Sequence, residues 1–374
     1  MLKTAPHTRI LHHLKKPHSL LAIGLALFAA AALFVFVLPS QLHFEALADA
    51  MPFKPKPVLD KVAYDLKMLA IANYPPTPPA ATSTPSTSSG QVATSTPPVH
   101  HPWPVKGLPY PNAGALLPFN RIVTYYGNFY SKGMGVLGQY PEEEAITKLK
   151  SEVAAWEAVD PATPVIPAID YIVVTAQGSA GADKKYRLRM PDDQVDKALE
   201  MANKLKGIVV LDVQVGLSNL PTELPIYEKY FKMPNVHLAI DPEFAMHGGT
   251  PPGRIIGSFD AKDINYAANY LANLVRGNNL PPKILIVHRF TEEMVTNYKN
   301  IMPLPEVQIV MDMDGWGFAA KKINTYNTVI FSEPVQLTGF KLFYKNDLLP
   351  PSTRMLTDAE ILDLRPQPMF IQYQ

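Results

Sequence analysis

Carboxylates in this chain recur two residues apart where apolar runs end. Asp241-Pro242-Glu243 and Asp312-Met313-Asp314 are such pairs, and Asp212-Val213-Gln214 repeats the spacing with an amide. Residues i and i+2 of an extended chain share a face, so each pair projects from one side of its strand. Two carboxyls held together do not ionise alike, because repulsion and burial keep one protonated while its neighbour gives up its proton. One donor and one anion at a single site is what acid–base cleavage of a glycosidic bond requires. His288-Arg289 ends a further apolar run, and Asp170 lies inside an earlier one. The chain has no Cys, which excludes thiolate zinc sites, disulfides and cysteine nucleophiles. No H-x-H or H-E-x-x-H spacing surrounds the histidines, so no metal site and no cofactor is expected. With 34 Lys+Arg against 33 Asp+Glu there is no basic excess to neutralise phosphates, and nucleic acid is excluded as a partner.

The elements that would position these groups follow from periodicity. Strands are expected at Arg121–Tyr126, Val165–Val174, Ile208–Val213, Val236–Asp241, Lys283–His288, Val307–Asp312, Phe340–Tyr344 and Met369–Tyr373. Helical patterns fall between most of them, at Glu142–Val159, Asp192–Lys206, Glu223–Lys232, Ala261–Arg276, Glu292–Ile301, Ala319–Asn324 and Asp358–Asp363. Eight β units alternating with helices predict an α/β fold, a (β/α)8 TIM barrel, with the last strand closing on the first. A doubly wound open sheet is the alternative, but GNFYSKGMGVLG after the first strand has no G-x-G-x-x-G entering a helix. In a barrel these polar pairs stand at the C-terminal ends of the third, fourth and sixth strands, the end where such folds carry their sites. Each also has a bland reading: Asp241 as a helix cap, His288 as a hydrogen-bonded structural histidine, Trp316 and Tyr125-Tyr126 as core. Met246–Gly253 reads as a loop over the barrel mouth.

Upstream, Ser19–Leu38 carries no charge and as a helix would rise about 30 Å, enough to cross a bilayer. Lys3, Arg9, Lys15 and Lys16 precede it, so the N-terminus is expected in the cytoplasm and the rest outside. The run is longer than the apolar core of a cleaved signal, which favours an uncleaved anchor. The expected organisation is a basic segment at 1–18, a transmembrane signal-anchor at 19–38, a juxtamembrane segment at 39–73, a Pro/Ser/Thr-rich disordered linker at 74–106, and the barrel at 107–374. Val58, Val62, Leu66 and Leu69 give the juxtamembrane segment a short amphipathic helix that packs on the membrane or on the main domain. The linker is poor in large apolar groups and reads as an extended spacer, with Trp103 as a candidate first packing residue.

Asp-x-Glu at the end of the fourth strand, acids on neighbouring strands and Trp316 after the sixth resemble TIM-barrel glycoside hydrolases, the muramidase-like and chitinase-like families in particular. Of the chitinase-like D-x-x-D-x-D-x-E, the chain has Asp241 and Glu243, with Val236 and Ala239 at the earlier positions. The muramidase-like pattern ends its first strand in Asp, where this chain has Tyr125-Tyr126-Gly127-Asn128. The layout of anchor, spacer and distal domain with YYGN and MGVLG also looks like membrane-anchored bacterial envelope proteins. The resemblance implies an extracytoplasmic hydrolase on a cell-envelope or extracellular glycan. Glu243 would be the acid, its pKa raised by Asp241, and Asp241 or Asp312 the ionised partner. Asp212, Gln214, Asp314, Trp316, Tyr126 and His288 would bind the sugar. Two other readings stand beside it: a glycan-binding pseudoenzyme, and a divalent-metal hydrolase built on Asp241, Glu243, His288 and Asp312. No protein partner is indicated.

Overall fold

A computed structural model describes residues 58–74 and 101–374. The expected anchor at 19–38 and most of the expected linker lie outside them. Among the described residues no helix is long and apolar enough to cross a membrane.

The chain begins with helix α1 (Lys61–Ala72) and strand β1 (Arg121–Gly127), followed by α2 (Val136–Gln139), α3 (Glu142–Val159), β2 (Val165–Ala176), β3 (Arg187–Arg189) and α4 (Asp192–Leu205). Next come β4 (Ile208–Val213), α5 (Leu220–Glu223), α6 (Glu228–Phe231), β5 (Val236–Ile240), β6 (Phe259–Asp260), α7 (Ala261–Asn278), β7 (Lys283–Arg289) and β8 (Val295–Thr296). The last elements are β9 (Val307–Met313), α8 (Ala319–Thr325), β10 (Leu337–Leu342), α9 (Asp358–Leu362) and β11 (Phe370–Tyr373). Eight strands pair in parallel in the order β1, β2, β4, β5, β7, β9, β10, β11, and β11 returns to β1, closing the barrel. The strands read as continuous β-branched and aliphatic runs because both faces are buried, one by the helices and one by the barrel interior. Helix starts are marked locally: Asp260 and Asp263 form a capping box for α7, and Glu142, Glu143 and Glu144 place negative charge in the first turn of α3.

Three expected elements differ. Glu292–Ile301 is two short 3-10 turns flanking β8, which pairs with β6. Arg289 takes the carbonyls of Thr291, Glu292 and Val295 that a helix would have used, and Asn297 turns left-handed at φ 57°. Glu223–Lys232 is broken into α5, a 3-10 turn and α6, as Pro225 cannot supply the helical N–H. The seventh barrel strand, expected at Phe340–Tyr344, is β10 and lies shifted toward the N-terminus, taking in Thr338-Gly339. At Gly339 a Cβ would come 2.4 Å from Oδ1 of Asp312, so only glycine leaves room for that carboxylate. The YYGN and MGVLG motifs form one turn: Gly135, at φ 124°, lies where a Cβ would meet the Tyr126 carbonyl at 2.4 Å, and Asn128 donates to Ile172 O at 2.9 Å.

The largest departure concerns α1. Tyr64, Met68, Ile71 and Ala72 are buried with Leu117, Ile122, Ile208, Ile284, Leu337 and Met369, so α1 plugs the N-terminal end of the barrel. Gln367 N donates to Ile71 O, Asn73 Nδ2 to Leu362 O and Leu364 O, and Lys67 Nζ to Ala162 O. Of the two surfaces expected for Val58, Val62, Leu66 and Leu69, the main domain is not the one they cover: they point outward, 88%, 71%, 63% and 60% exposed. The aromatic rings of Tyr74 and His101 stand 3.8 Å apart. Trp103 is 3% exposed and donates Nε1–H to Phe331 O at 3.0 Å, which makes it a packing residue of that body.

Candidate functional site

Strand alternation divides the barrel interior. Ile122, Ala168, Ile208, Val210, Ile284, Ile286, Val310 and Leu337 fill the lower half beside α1. One pleat further along, the inward positions turn polar: Asp170 on β2, Asp212 on β4, His288 on β7, Asp312 on β9 and Gln372 on β11, all fully buried. These side chains meet across the interior. His288 Nε2 is 2.9 Å from Asp212 Oδ2, passing over β5, where Ala239 sits beside Asp212 in register and leaves room. Gln372 Nε2 donates to Asp170 Oδ2 at 2.6 Å across β1. His288 Nδ1 lies 3.3 Å from Oδ2 of Asp312 and of Asp314, ion-paired with both although neither carboxylate is aligned for a hydrogen bond.

Above this layer the strand ends open into a cavity of 740 Å³. Gln214, Asp241, Glu243, Asp314, Trp316, Tyr126 and Lys341 line it, with Phe244, Phe290 and Phe343 as apolar walls. Asp241 caps the turn that follows β5: its Oδ1 accepts Glu243 N–H at 3.0 Å, and Oδ2 accepts Gln214 Nε2 at 3.3 Å. Gln214 also donates to the Tyr126 hydroxyl at 3.2 Å. Lys341 Nζ is 3.1 Å from Asp314 Oδ1 and sits 3.8 Å over the Tyr126 ring. Trp316, 47% exposed, stands at the rim with Lys321 Nζ 4.8 Å from its ring.

Electrostatics sort the acids. Burial, with repulsion from Asp314 second, pushes the Glu243 carboxyl up to about 7. Burial also raises Asp241 and Asp170 well above the usual carboxylate range, so each tends to hold its proton, and it raises Asp312 above its ordinary value. Burial opposes ionisation of Asp314 too, but Lys341 and His288 outweigh it and keep its pKa below the usual value. Burial alone would neutralise His288, yet Asp212 beside it, with Asp312 and Asp314, holds the imidazole charged well above its ordinary pKa. The cavity therefore offers one carboxyl poised near neutrality and one committed anion.

Of the residues singled out from sequence, Glu243, Asp241, Gln214, Asp314, Trp316 and Tyr126 share the cavity. Asp312, Asp212 and His288 do not line it and lie beneath its floor, as ties within the barrel. Asp314 is the charge that raises Glu243 after burial, while the repulsion between Asp241 and Glu243 raises Asp241. The loop Met246–Gly253 does not line the cavity either. With both His288 nitrogens facing carboxylates, Asp241, Glu243, His288 and Asp312 do not form a ligand set, and among the described residues no three acid or imidazole groups are arranged to hold a metal ion. Lys341 is the group that sequence reasoning passes over. Its signal is a lysine between Phe340 and Leu342 in a strand buried on both faces.

No family model and no curated protein matches the chain. Solved structures similar to it include the clostridial cellulose synthase subunit Z from Clostridioides difficile, at 11% identity over 68% of this chain and 91% of that one, TM-score 0.35. A GH5-4 broad specificity endoglucanase from an uncultured bovine rumen ciliate matches at 12% identity over 63% of this chain and 76% of that one, TM-score 0.33. A ruminal GH26 endo-beta-1,4-mannanase matches at 10% identity over 68% of this chain and 59% of its own length, TM-score 0.32. Likenesses this distant add nothing to the closed parallel barrel that strand pairing shows directly.

Proposed function

We propose that this protein is a membrane-anchored, extracytoplasmic glycoside hydrolase acting on a cell-envelope or extracellular glycan. The observation that carries the reading is that Glu243 and Asp314 line one cavity with opposite protonation preferences. Glu243, protonated near neutral pH, donates to the departing glycosidic oxygen while the Asp314 carboxylate stabilises the positive charge that develops at the anomeric carbon; water then adds to that carbon and gives up a proton to the Glu243 carboxylate, restoring the acid. Asp241 fixes the Glu243 backbone through the turn it caps and, holding its proton, offers a hydroxyl to the sugar. Gln214 and the Tyr126 phenol add hydrogen-bonding groups, and Trp316 supplies a flat apolar face for a ring. The ionised partner assigned from sequence to Asp241 or Asp312 thus passes to Asp314, the one of the three with a depressed pKa.

Glu243→Gln keeps the side chain's size and removes its proton. Turnover of a peptidoglycan- or chitin-like oligosaccharide should fall by about 10²–10⁴ with binding nearly unchanged. In the unsubstituted protein, kcat/KM should decline as pH rises through about 7, where Glu243 loses its proton. Equal turnover by the variant would remove Glu243 from the mechanism.

One observation favours a second reading, a glycan-binding pseudoenzyme. Both Asp314 oxygens are already engaged, Oδ1 with Lys341 at 3.1 Å and Oδ2 with His288 at 3.3 Å, so the anion meets substrate with its charge partly neutralised. Saturable binding of a glycan that is never cleaved, lost with Trp316→Ala and retained in Glu243→Gln, would establish that reading instead.

A further inference from the structure

Helix α1 is apolar on two faces. One face is buried on the barrel floor, and the other, Val62, Leu66 and Leu69 with Val58 just ahead of the helix, is open to solvent. A continuous aliphatic stripe on the outside of a folded body marks a contact surface. From its position we infer that this face rests on the lipid surface into which the chain's own residues 19–38 insert, holding the barrel with its cavity mouth pointing away from the bilayer. The inference relies on reading 19–38 as an uncleaved anchor.

Three features favour lipid as the occupant. The stripe starts at Val58, and the 39–57 segment after the apolar run spans at most about 65 Å when fully extended, so the stripe cannot lie further than that from the bilayer. A tether makes the contact intramolecular, so a few side chains suffice; a stable dimer would need on the order of 20 residues from each copy. Lys61 and the exposed Tyr110, 4.8 Å apart from ammonium to ring centre, flank the stripe, as basic and aromatic groups do at the level of lipid headgroups. Because α1 closes the N-terminal end of the strands and the cavity lies at their C-terminal end, seating α1 on lipid leaves the cavity facing outward to a glycan.

The chain has no cysteine, so single-cysteine variants carry one label each. Full-length Leu66→Cys and Val62→Cys, and Lys345→Cys beyond the end of β10, would be labelled with a small fluorophore. Each would be reconstituted in phosphatidylethanolamine–phosphatidylglycerol vesicles with brominated acyl chains. Labels at 66 and 62 should be quenched at least twofold and the label at 345 not at all. An alkaline carbonate wash reads the anchor separately. Protein that stays with the vesicles while labels at 66 and 62 remain bright overturns the docking and spares the anchor; protein that washes off overturns both. Disulfide-linked dimers of Leu66→Cys with no quenching would assign the face to a second copy and overturn the inference. Two label positions keep the test decisive if one substitution disturbs the fold.

Discussion

The two halves of the barrel interior use the same backbone in opposite ways. The lower half is filled by Ile122, Val210, Ile284, Ile286 and Val310 and stoppered by α1, so it gains from removing apolar surface from water. The upper half buries Asp170, Asp212, His288 and Asp312, groups that cost free energy in such a place unless paired. Stability gained below supports charge held above, and the perturbed protonation of the upper half is what gives Glu243 and Asp314 their different states.

The sharpest way to break this arrangement is to remove its stopper. A fragment beginning at residue 107 lacks α1 and uncovers the apolar floor, losing the burial of Tyr64, Met68 and Ile71. At roughly 1.5–3 kcal/mol for each large side chain, it should be less stable than a fragment from residue 58 by on the order of 5 kcal/mol in urea unfolding. Equal midpoints would show that α1 is not part of the core. Next in size is His288→Ala, which strands Asp212 in the interior and should cost about 3–5 kcal/mol. A cost under about 1 kcal/mol would mean that the upper half does not depend on the imidazolium.

A smaller effect follows from proton linkage. Glu243 has a folded pKa of about 7, above its usual value of 4.5, so the folded state binds the proton more tightly. The stability this contributes is fully present below about 4.5 and lost as pH rises through 7. The Tm of the unsubstituted protein should therefore gain on that of Glu243→Gln between pH 8 and pH 5 (roughly the span of the linkage), and parallel curves would contradict the raised pKa. The smallest change in stability belongs to Trp316→Ala. At the half-exposed rim it should cost roughly 0.5 kcal/mol or less while weakening glycan binding measurably by calorimetry. Unfolding by several kcal/mol would make Trp316 a core residue rather than a platform.

Much of the scaffold is legible in the amino-acid order. All eight barrel strands can be placed from it, as can α3 to the residue, because a strand buried on both faces and a helix with an acid-rich start leave local marks. The acids at i and i+2 are legible for the same reason: strand alternation puts Asp241 and Glu243 on one side whatever the fold around them. What the amino-acid order does not supply is depth. Asp312 and Asp314 differ by one pleat, yet one lies under the floor and the other in the cavity, and which is which depends on register against Gly339 and Lys341 of the neighbouring strand. The α1 stripe is ambiguous for a related reason: periodicity reveals that a face is apolar but not which of two apolar faces the barrel will cover. Sequence alone thus determined the strands, the barrel order and the pairing of acids, since these rest on local geometry. Tertiary structure alone decided which acid keeps its proton, because that depends on burial and on the charges of Asp314, Lys341 and His288, brought together from three different strand ends.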